Sequence, residues 1–187
     1  MFDYEDSEHE LGEDAPEDFS ESPDTLFFYL RYDIDRNNGE PIFSYKITPG
    51  ARSQLISLSG RDQTQWSPFR FAGTLVKDLD IRIYGDTVVT MIMEKTYNYQ
   101  EFYWSKYRKA IKTKRDHKEI YGHLLYEQVD GTWKKDNDGK RTKIQFKAKH
   151  ATGAAKSHKF SCNVRYLASD NFLEEHEIDP DIKNPST

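Results

Sequence analysis

The stretch from Trp104 to Lys118 interleaves aromatic rings with basic side chains, and these residue types have a definite chemistry. Lysine and arginine neutralise phosphate groups, and exposed aromatic rings stack on nucleic-acid bases. The pattern therefore predicts a binding site for single-stranded nucleic acid or for another anionic partner. This basic aromatic patch consists of Trp104, Lys106, Tyr107, Arg108, Lys109, Lys112, Lys114 and Arg115. The structural alternative is a solvated charged face, which is the usual role of a charge run.

A second run of basic residues makes a neighbouring part of the chain cationic. It consists of Lys134, Lys135, Lys140, Arg141, Lys143, Lys147 and Lys149. Positive charge alone does not identify a nucleic-acid-binding protein, because phosphate groups are only one kind of anion. The two runs together therefore predict an anionic partner without specifying it.

Residues that could catalyse a reaction or hold a metal lack the required spacing. The six histidines include no pair four residues apart, as a zinc-binding helix requires. A calcium loop around Asp136–Gly139 would place Lys134 and Gln145 at its first and last ligand positions, and neither supplies a carboxylate. Cys162 falls on the apolar side of an alternating strand, where thiols are usually inert. The sequence assigns no catalytic residue, no metal site and no cofactor, and it favours a protein that is not an enzyme.

Charge is sorted along the chain. Residues 1–24 contain 11 acidic residues and no Lys or Arg, and residues 170–187 contain 6 acidic residues against Lys183 alone. Of the chain's 27 basic and 32 acidic residues, 26 and 15 remain in residues 25–169. The few apolar residues of the first segment cannot offset its ordering entropy. We therefore predict an acidic disordered tail at 1–24, a basic domain at 25–169 and an acidic C-terminal tail at 170–187.

Cysteine content and hydropathy bear on the location of the protein. The chain has one cysteine and no apolar run of the roughly 20 residues that span a bilayer. An internal disulfide is excluded, and the N-terminus lacks a basic start followed by an apolar stretch. These features predict a soluble cytoplasmic protein without a membrane partner.

Short runs rich in β-branched and aromatic residues, separated by turn residues, predict a mainly β domain. Asn38-Gly39 and Asp130-Gly131 are typical of hairpin turns. Beyond a first hairpin that begins near Leu26, the predicted strands are 54–58, 69–74, 80–84, 87–94, 122–129, 143–148 and 159–167. We predict an antiparallel β-sandwich of about 7–9 strands.

Residues 101–118 have two interpretations. Tyr103, Tyr107 and Ile111 are spaced four residues apart, as on one face of a helix. Lysine-rich strands at an exposed sheet edge fit the composition equally well. The expectation is therefore either one short helix or a long basic hairpin.

Residues Ile178–Pro185, with the sequence IDPDIKNP, follow an aromatic strand. They resemble the ending of small bacterial β-sandwich proteins of the DP-EP and PixA/AidA-like inclusion-body group. The resemblance implies an antiparallel sandwich, accumulation inside the cell or self-assembly, and no catalytic residues.

Residues Asp80–Val89, with the sequence DIRIYGDTVV, are similar to a strand–turn–strand unit of NTF2-like proteins. That group includes small isomerases and hydrolases, and its fold begins with helices that cover a curved sheet. Seven Gly and Pro residues interrupt residues 26–80 and leave no room for those helices. An NTF2-like small enzyme is therefore the alternative to the sandwich.

The preferred hypothesis is a non-catalytic β-sandwich that binds a partner or assembles with itself. It rests on the basic aromatic surface and the acidic ends, which could contact each other within one chain or between copies. The expected partners are another copy of the chain or an anionic molecule, nucleic acid among them. An NTF2-like enzyme and a single-stranded nucleic-acid-binding protein are the alternatives.

Overall fold

The computed structural model describes residues 8–9, 17–34, 37, 41–55, 64–69, 81–94, 102–105, 110–114, 120–135, 141–150, 156–167, 173–178 and 181–184. These residues form strands almost throughout. The strands are β1 Glu8–His9, β2 Asp24–Ile34, β3 Pro41–Thr48, β4 Ser53–Leu55, β5 Ser67–Phe69, β6 Ile81–Ile83, β7 Thr87–Glu94, β8 Phe102–Trp104, β9 Ile111–Lys114, β10 Ile120–Val129, β11 Thr132–Lys135, β12 Lys143–Ala148, β13 Lys156–Leu167, β14 Leu173–Ile178 and β15 Asp181–Asn184.

The strands form two sheets. The first sheet has eight strands in the order β1-β9-β13-β15-β6-β4, with β8 and β14 also paired to β13. The second sheet has seven strands in the order β11-β10-β12-β7-β2-β3-β5. The described pairings are antiparallel except for two parallel ones, β2 with β7 and β15 with β6. The mainly β prediction is confirmed, and both sheets are more finely divided than predicted because several strands contain only two to four residues.

Both sheets contribute to one hydrophobic core. Alternation along β2 buries Leu26, Phe28 and Leu30 on one side and leaves the residues between them half-buried. β3, β7, β10 and β12 add their own inward residues, and β6, β8 and β9 supply the facing side chains of the first sheet. The fully or nearly fully buried apolar residues are Leu26, Phe28, Leu30, Tyr45, Ile47, Ile81, Ile83, Val89, Met91, Met93, Trp104, Ala110, Ile111, Ile120, Leu125, Ile144, Phe146 and Ala148.

Local patterns predicted several elements closely. The strands at 87–94 and 143–148 have the predicted bounds. β10 and β11 form an antiparallel hairpin in which Asp130 has a φ of 51° and Gly131 a φ of 77°. Asp-Gly suits such a turn because glycine lacks a Cβ and aspartate tolerates the left-handed region. β2 and β3 also pair as a hairpin, whereas the predicted turn at Asn38-Gly39 lies outside the described residues.

Within the segment 101–118, the structure describes residues 102–105 and 110–114. Its described residues form two short strands, β8 and β9, which pair with successive parts of β13 rather than with each other. Ala110 is the one residue in helical conformation among those described. The two described strands do not pair with each other as a hairpin would, because their partner lies more than 45 residues later, and local periodicity cannot reveal such a partner.

Described parts of the two acidic ends include strands of the first sheet. β1 pairs with β9, and β14 and β15 lie end to end along β13. In the register, acidic residues of the ends stand opposite basic residues of the body, an arrangement that favours pairing. These cross-strand pairs are Glu8 with Lys114, Glu175 with Arg165 and Asp181 with Lys159.

Candidate functional site

Trp104, the first residue of the predicted basic aromatic patch, is a core residue with 0% of its surface exposed. Its ring therefore cannot stack on a ligand at the surface. Lys112 and Lys114 belong to β9. The other predicted patch residues, Lys106, Tyr107, Arg108, Lys109 and Arg115, lie outside the described residues.

Arg141, predicted as part of the second basic run, is also buried, with 2% of its surface exposed. Its Nε donates to the Trp104 carbonyl at 3.1 Å, and the Trp104 N–H donates to the Arg141 carbonyl at 2.8 Å. Its guanidinium lies 6.0 Å from the centre of the Tyr103 ring. Arg141 therefore joins β8 of the first sheet to the residues that lead into β12 of the second. Burial of this charge is tolerable because the guanidinium is hydrogen-bonded and rests on a ring.

The outer face of the second sheet carries rings and cations in alternating positions. Residues that stand opposite one another on neighbouring strands share one face of a sheet. The register links six such residues from β3 to β11, and all of them are half-buried or exposed. We call this set the cross-strand row, and in spatial order it consists of Lys46, Tyr29, Ile92, Lys143, Tyr126 and Lys135. Five strand spacings give it a length of roughly 24 Å.

One end of the row forms a first ring-cation cluster on β2 and β3. The Lys46 ammonium lies 5.1 Å from the centre of the Tyr29 ring and 4.7 Å from that of Trp66. The Arg31 guanidinium covers the same Trp66 ring at 4.4 Å. Lys46 also forms an ion pair with Glu94 at 3.5 Å. Two cations therefore share one indole, and a single nearby carboxylate partly balances them.

The other end forms a second ring-cation cluster on β10, β11 and β12. The Lys143 ammonium lies 4.1 Å from the centre of the Tyr126 ring and 4.6 Å from that of Trp133. Burial lowers the pKa of Lys143, because the surrounding protein removes water from the ammonium group. A phosphate placed beside this partly dehydrated cation would restore a favourable environment for its charge.

Sequence reasoning identified Lys135 and Lys143 as basic residues but did not connect them with Tyr29, Tyr126 or Lys46. A signal for the face exists, because rings and cations recur at every second position within β2 and at alternating positions of β12. Period-two alternation places such residues on one side of a strand. Their alignment across strands depends on the register, which no single strand reveals.

Loops at one end of the second sheet hold the residues that precede β2. Asp86 accepts hydrogen bonds from the Ser20 N–H at 2.7 Å and from the His150 N–H at 2.8 Å. Lys149 donates to the Asp18 carbonyl at 3.1 Å and pairs with its carboxylate at 2.9 Å. The Lys147 ammonium lies 5.4 Å from the centre of the Phe19 ring. Residues 17–23 are thus fixed beside the edge of the outer face.

Asp24 organises the adjacent turn. Its carboxylate accepts hydrogen bonds from the N–H of Ala51 at 3.0 Å, the N–H of Arg52 at 2.8 Å and the hydroxyl of Ser53 at 2.7 Å. A side chain at Gly50 would collide with Asp24, so the close approach requires glycine. Burial alone raises the pKa of Asp24, but the hydrogen bonds together hold it below its usual value. The donors are the turn residues Ala51 and Arg52 and the first residue of β4, Ser53, which gives Asp24 a structural role.

The described residues contain no group of three or more His, Cys, Asp or Glu side chains arranged to hold a metal ion. Within the same part of the chain, no helix has the length and apolar character needed to cross a membrane. The described elements between residues 26 and 80 are strands rather than the helices with which an NTF2-like fold begins.

A family model described as "pNTSase1: Predicted novel nucleotide synthetase" matches residues 31–187. The chain belongs to the pNTSase1 family. The pNTSase1 region starts within β2 and includes all of the cross-strand row except Tyr29. Residues 17–23 precede it.

Among solved structures, the pNTSase1 chain is similar to the inclusion body protein PixA from Burkholderia cenocepacia J2315. The likeness covers 89% of this chain and 97% of that chain, with a TM-score of 0.44 and 4% sequence identity. The PixA part of the resemblance noted at residues 178–185 thus recurs, but values this low carry nothing about function. No curated protein matches the chain.

Proposed function

We propose that the protein binds nucleotides on the outer face of the second sheet, with the cross-strand row at the centre of the binding surface. The observation that carries the proposal is the alternation of cations and rings in register across neighbouring strands. Phosphate groups bind to lysine ammonium groups, and flat bases stack on Tyr and Trp rings. Side chains of both kinds are half-buried, so a ligand gains contacts without first ordering a loop.

The family description agrees with this choice of ligand. A nucleotide synthetase and a non-catalytic nucleotide-binding protein share one requirement, a surface that recognises base and phosphate. No catalytic residue is assigned, so binding is proposed and a reaction is not. A nucleotide ligand is also compatible with the cytoplasmic location expected from the sequence.

The simplest structural explanation of the face is that its cation–π contacts stabilise the fold. Each such contact at an exposed site contributes about 0.5–1 kcal/mol, so some stabilisation is expected in any case. Stabilisation does not require the two clusters to share the solvent-facing side of the sheet. A ligand does, because its base and phosphate must reach a ring and a cation together, and each cluster offers this combination.

Self-assembly through opposite charges is the other function expected from the sequence. Asp18, in the acidic N-terminal segment, already pairs with Lys149 of the same chain. This contact reduces the charge left for a second copy. We therefore place nucleotide binding ahead of self-assembly.

Replacing Lys143 by glutamine should weaken nucleotide binding about tenfold, because it removes a phosphate-neutralising charge from the centre of the second cluster. Binding is measured by titrating quenching of tryptophan fluorescence with a mixture of adenine and thymine mononucleotides and, separately, with an eight-nucleotide thymidine strand. Both titrations are repeated at two salt concentrations, since phosphate contacts weaken as salt rises.

Lys134→Gln is the matched control. Lys134 is exposed on β11, and strand alternation places it on the opposite side from Trp133 and Lys135. Lys134→Gln removes the same charge but from the other side of β11, so it should change nucleotide affinity less than twofold. Equal losses in the two variants, or no binding by the native protein, would refute the proposal.

A further inference from the structure

We infer that the ligand is a single-stranded polynucleotide rather than a free nucleotide, an inference that rests on the proposed nucleotide-binding face. The first and second ring-cation clusters lie on either side of β7. Lys46 and Lys143 are three strand spacings apart, or roughly 14 Å. A single nucleotide carries one base and a phosphate group next to it, so it can occupy one cluster but cannot reach both.

A linked strand can occupy both clusters at once. A stacked strand advances about 3.4 Å per nucleotide, so about four nucleotides join the clusters, and an extended strand needs fewer. Once the first cluster is occupied, the second contact forms within the same complex and gains from a high effective concentration. The whole row from Lys46 to Lys135 therefore matches a short oligonucleotide.

The cross-strand row presents lysine, tyrosine and isoleucine side chains to a base, and these do not distinguish one base from another by shape. In the neighbouring row, the Gln145 amide donates to the Thr90 hydroxyl at 3.1 Å, so these two polar groups satisfy each other. The remaining contacts are rings and charges, which accept every base because every base has a flat face. Unpaired bases are also needed for stacking, so a duplex should bind more weakly than a single strand.

The experiment is a length series of thymidine strands of one, two, four and eight nucleotides, together with an eight-base-pair duplex. Affinity should rise at least about tenfold from the mononucleotide to the eight-nucleotide strand, because that strand engages both clusters. Mixed-sequence and thymidine strands of equal length should bind within about threefold of each other.

Lys46→Gln and Lys143→Gln separate the outcomes. With the mononucleotide, each variant should weaken binding about tenfold at its own cluster and leave the other cluster unchanged. With the eight-nucleotide strand, each should instead lower the affinity towards that of the mononucleotide. If the mononucleotide binds as tightly as the longest strand, the polynucleotide inference fails while nucleotide binding stands. If neither ligand binds, the proposed function itself fails.

The contacts of residues 17–23 carry a second inference, which also rests on the proposed function. We propose that this acidic segment competes with the ligand for one end of the outer face. Asp18 presents a carboxylate to Lys149, and Phe19 presents a ring to Lys147. These are the two kinds of group that a nucleotide would offer. The hydrogen bond from Lys149 lowers the pKa of Asp18, so the carboxylate is ionised at neutral pH.

The segment is suited to displacement. The Asp18 side chain is 74% exposed, and solvent screens ion pairs of this kind strongly. The region that matches the pNTSase1 family begins at residue 31, so the segment is an addition to the matched region. A polynucleotide offers several phosphates in place of one carboxylate and should therefore win the competition at low salt.

The test combines Asp18→Asn with Phe19→Ala and measures binding of the eight-nucleotide strand. Release of the competitor should strengthen binding about two- to fivefold, in line with the modest strength of an exposed ion pair. Glu21→Gln is the control, because it removes one negative charge from an exposed position of the same segment. An equal gain in the control, or no gain in the double variant, overturns the competition model. If the eight-nucleotide strand binds to none of the native protein, the double variant and the control, the proposed function fails instead.

Discussion

Replacement of Trp104 by alanine should lower the free energy of unfolding by about 3–5 kcal/mol, because it empties a large fully buried site. The indole has no exposed surface and lies where β8 meets the residues before β12. Arg141 depends on the same place, since its Nε donates to the Trp104 carbonyl. A loss of this size is a large part of the 5–15 kcal/mol that typically stabilises a domain.

Urea denaturation followed by far-ultraviolet circular dichroism measures the effect. Trp133→Ala is the matched control, because this second indole is half-buried on the outer face. It should cost about 1 kcal/mol, mostly from its contact with Lys143. In binding the order should reverse: Trp133→Ala should weaken nucleotide binding, whereas Trp104→Phe, which keeps a ring in the core, should leave it intact. A stable Trp104→Ala protein that fails to bind nucleotides would restore Trp104 to the predicted patch.

The sequence predicted those elements whose causes are local. Alternation of apolar and polar residues defined 87–94 and 143–148, and Asp130-Gly131 supplied a turn that only a few residue types adopt readily. Each of these signals lies within one strand or one turn. The mainly β class follows from them, because no described segment has a competing pattern long enough to form a helix.

Elements that depend on distant partners could not be read in the same way. β8 and β9 are two pieces of an edge that follows β13, and the residues between them interrupt the alternation. The C-terminal strands β14 and β15 resemble an acidic tail in composition, because their acidic residues interrupt any regular alternation of apolar residues. Their place in the sheet comes from backbone pairing with β13 and β6.

In the register, acidic positions of the two ends stand opposite basic positions of β9 and β13. Opposite charges at facing positions generally favour strand pairing. Composition identified the separation of charge but could not identify this pairing. Composition compares whole segments, so it predicted acidic tails. The register instead places individual residues of the ends opposite individual residues of the body.

The candidate site was missed for a related reason. The cross-strand row takes one residue from each of six strands, and these come from three separate parts of the chain, β2–β3, β7 and β10–β12. A patch that is contiguous in sequence, such as Trp104–Arg115, is easier to recognise. Contiguity does not imply exposure, because the Trp104 ring lies in the core while Tyr29 and Tyr126 lie half-buried on the outer face.

Replacement of Asp24 by asparagine should cost about 3 kcal/mol of stability at neutral pH. The carboxylate accepts from two backbone N–H groups and the Ser53 hydroxyl, and only 9% of Asp24 is exposed. The amide offers one acceptor atom where the carboxylate offers two, so at least one donor of the turn loses its partner. Asp130→Asn is the control, because Asn adopts a positive φ as readily as Asp and the change should be nearly neutral.

The penalty should depend on pH in a direction fixed by the lowered pKa of Asp24. An acid whose pKa is lower in the folded state stabilises the fold fully above its unfolded pKa, about 3.9, and loses this contribution as pH falls through the folded value. Urea denaturation should therefore show the largest difference in unfolding free energy between the native protein and Asp24→Asn at pH 7. The difference should shrink steadily below about pH 4. A difference that stayed constant down to the lowest pH would mean that the turn depends on the shape of Asp24 and not on its charge.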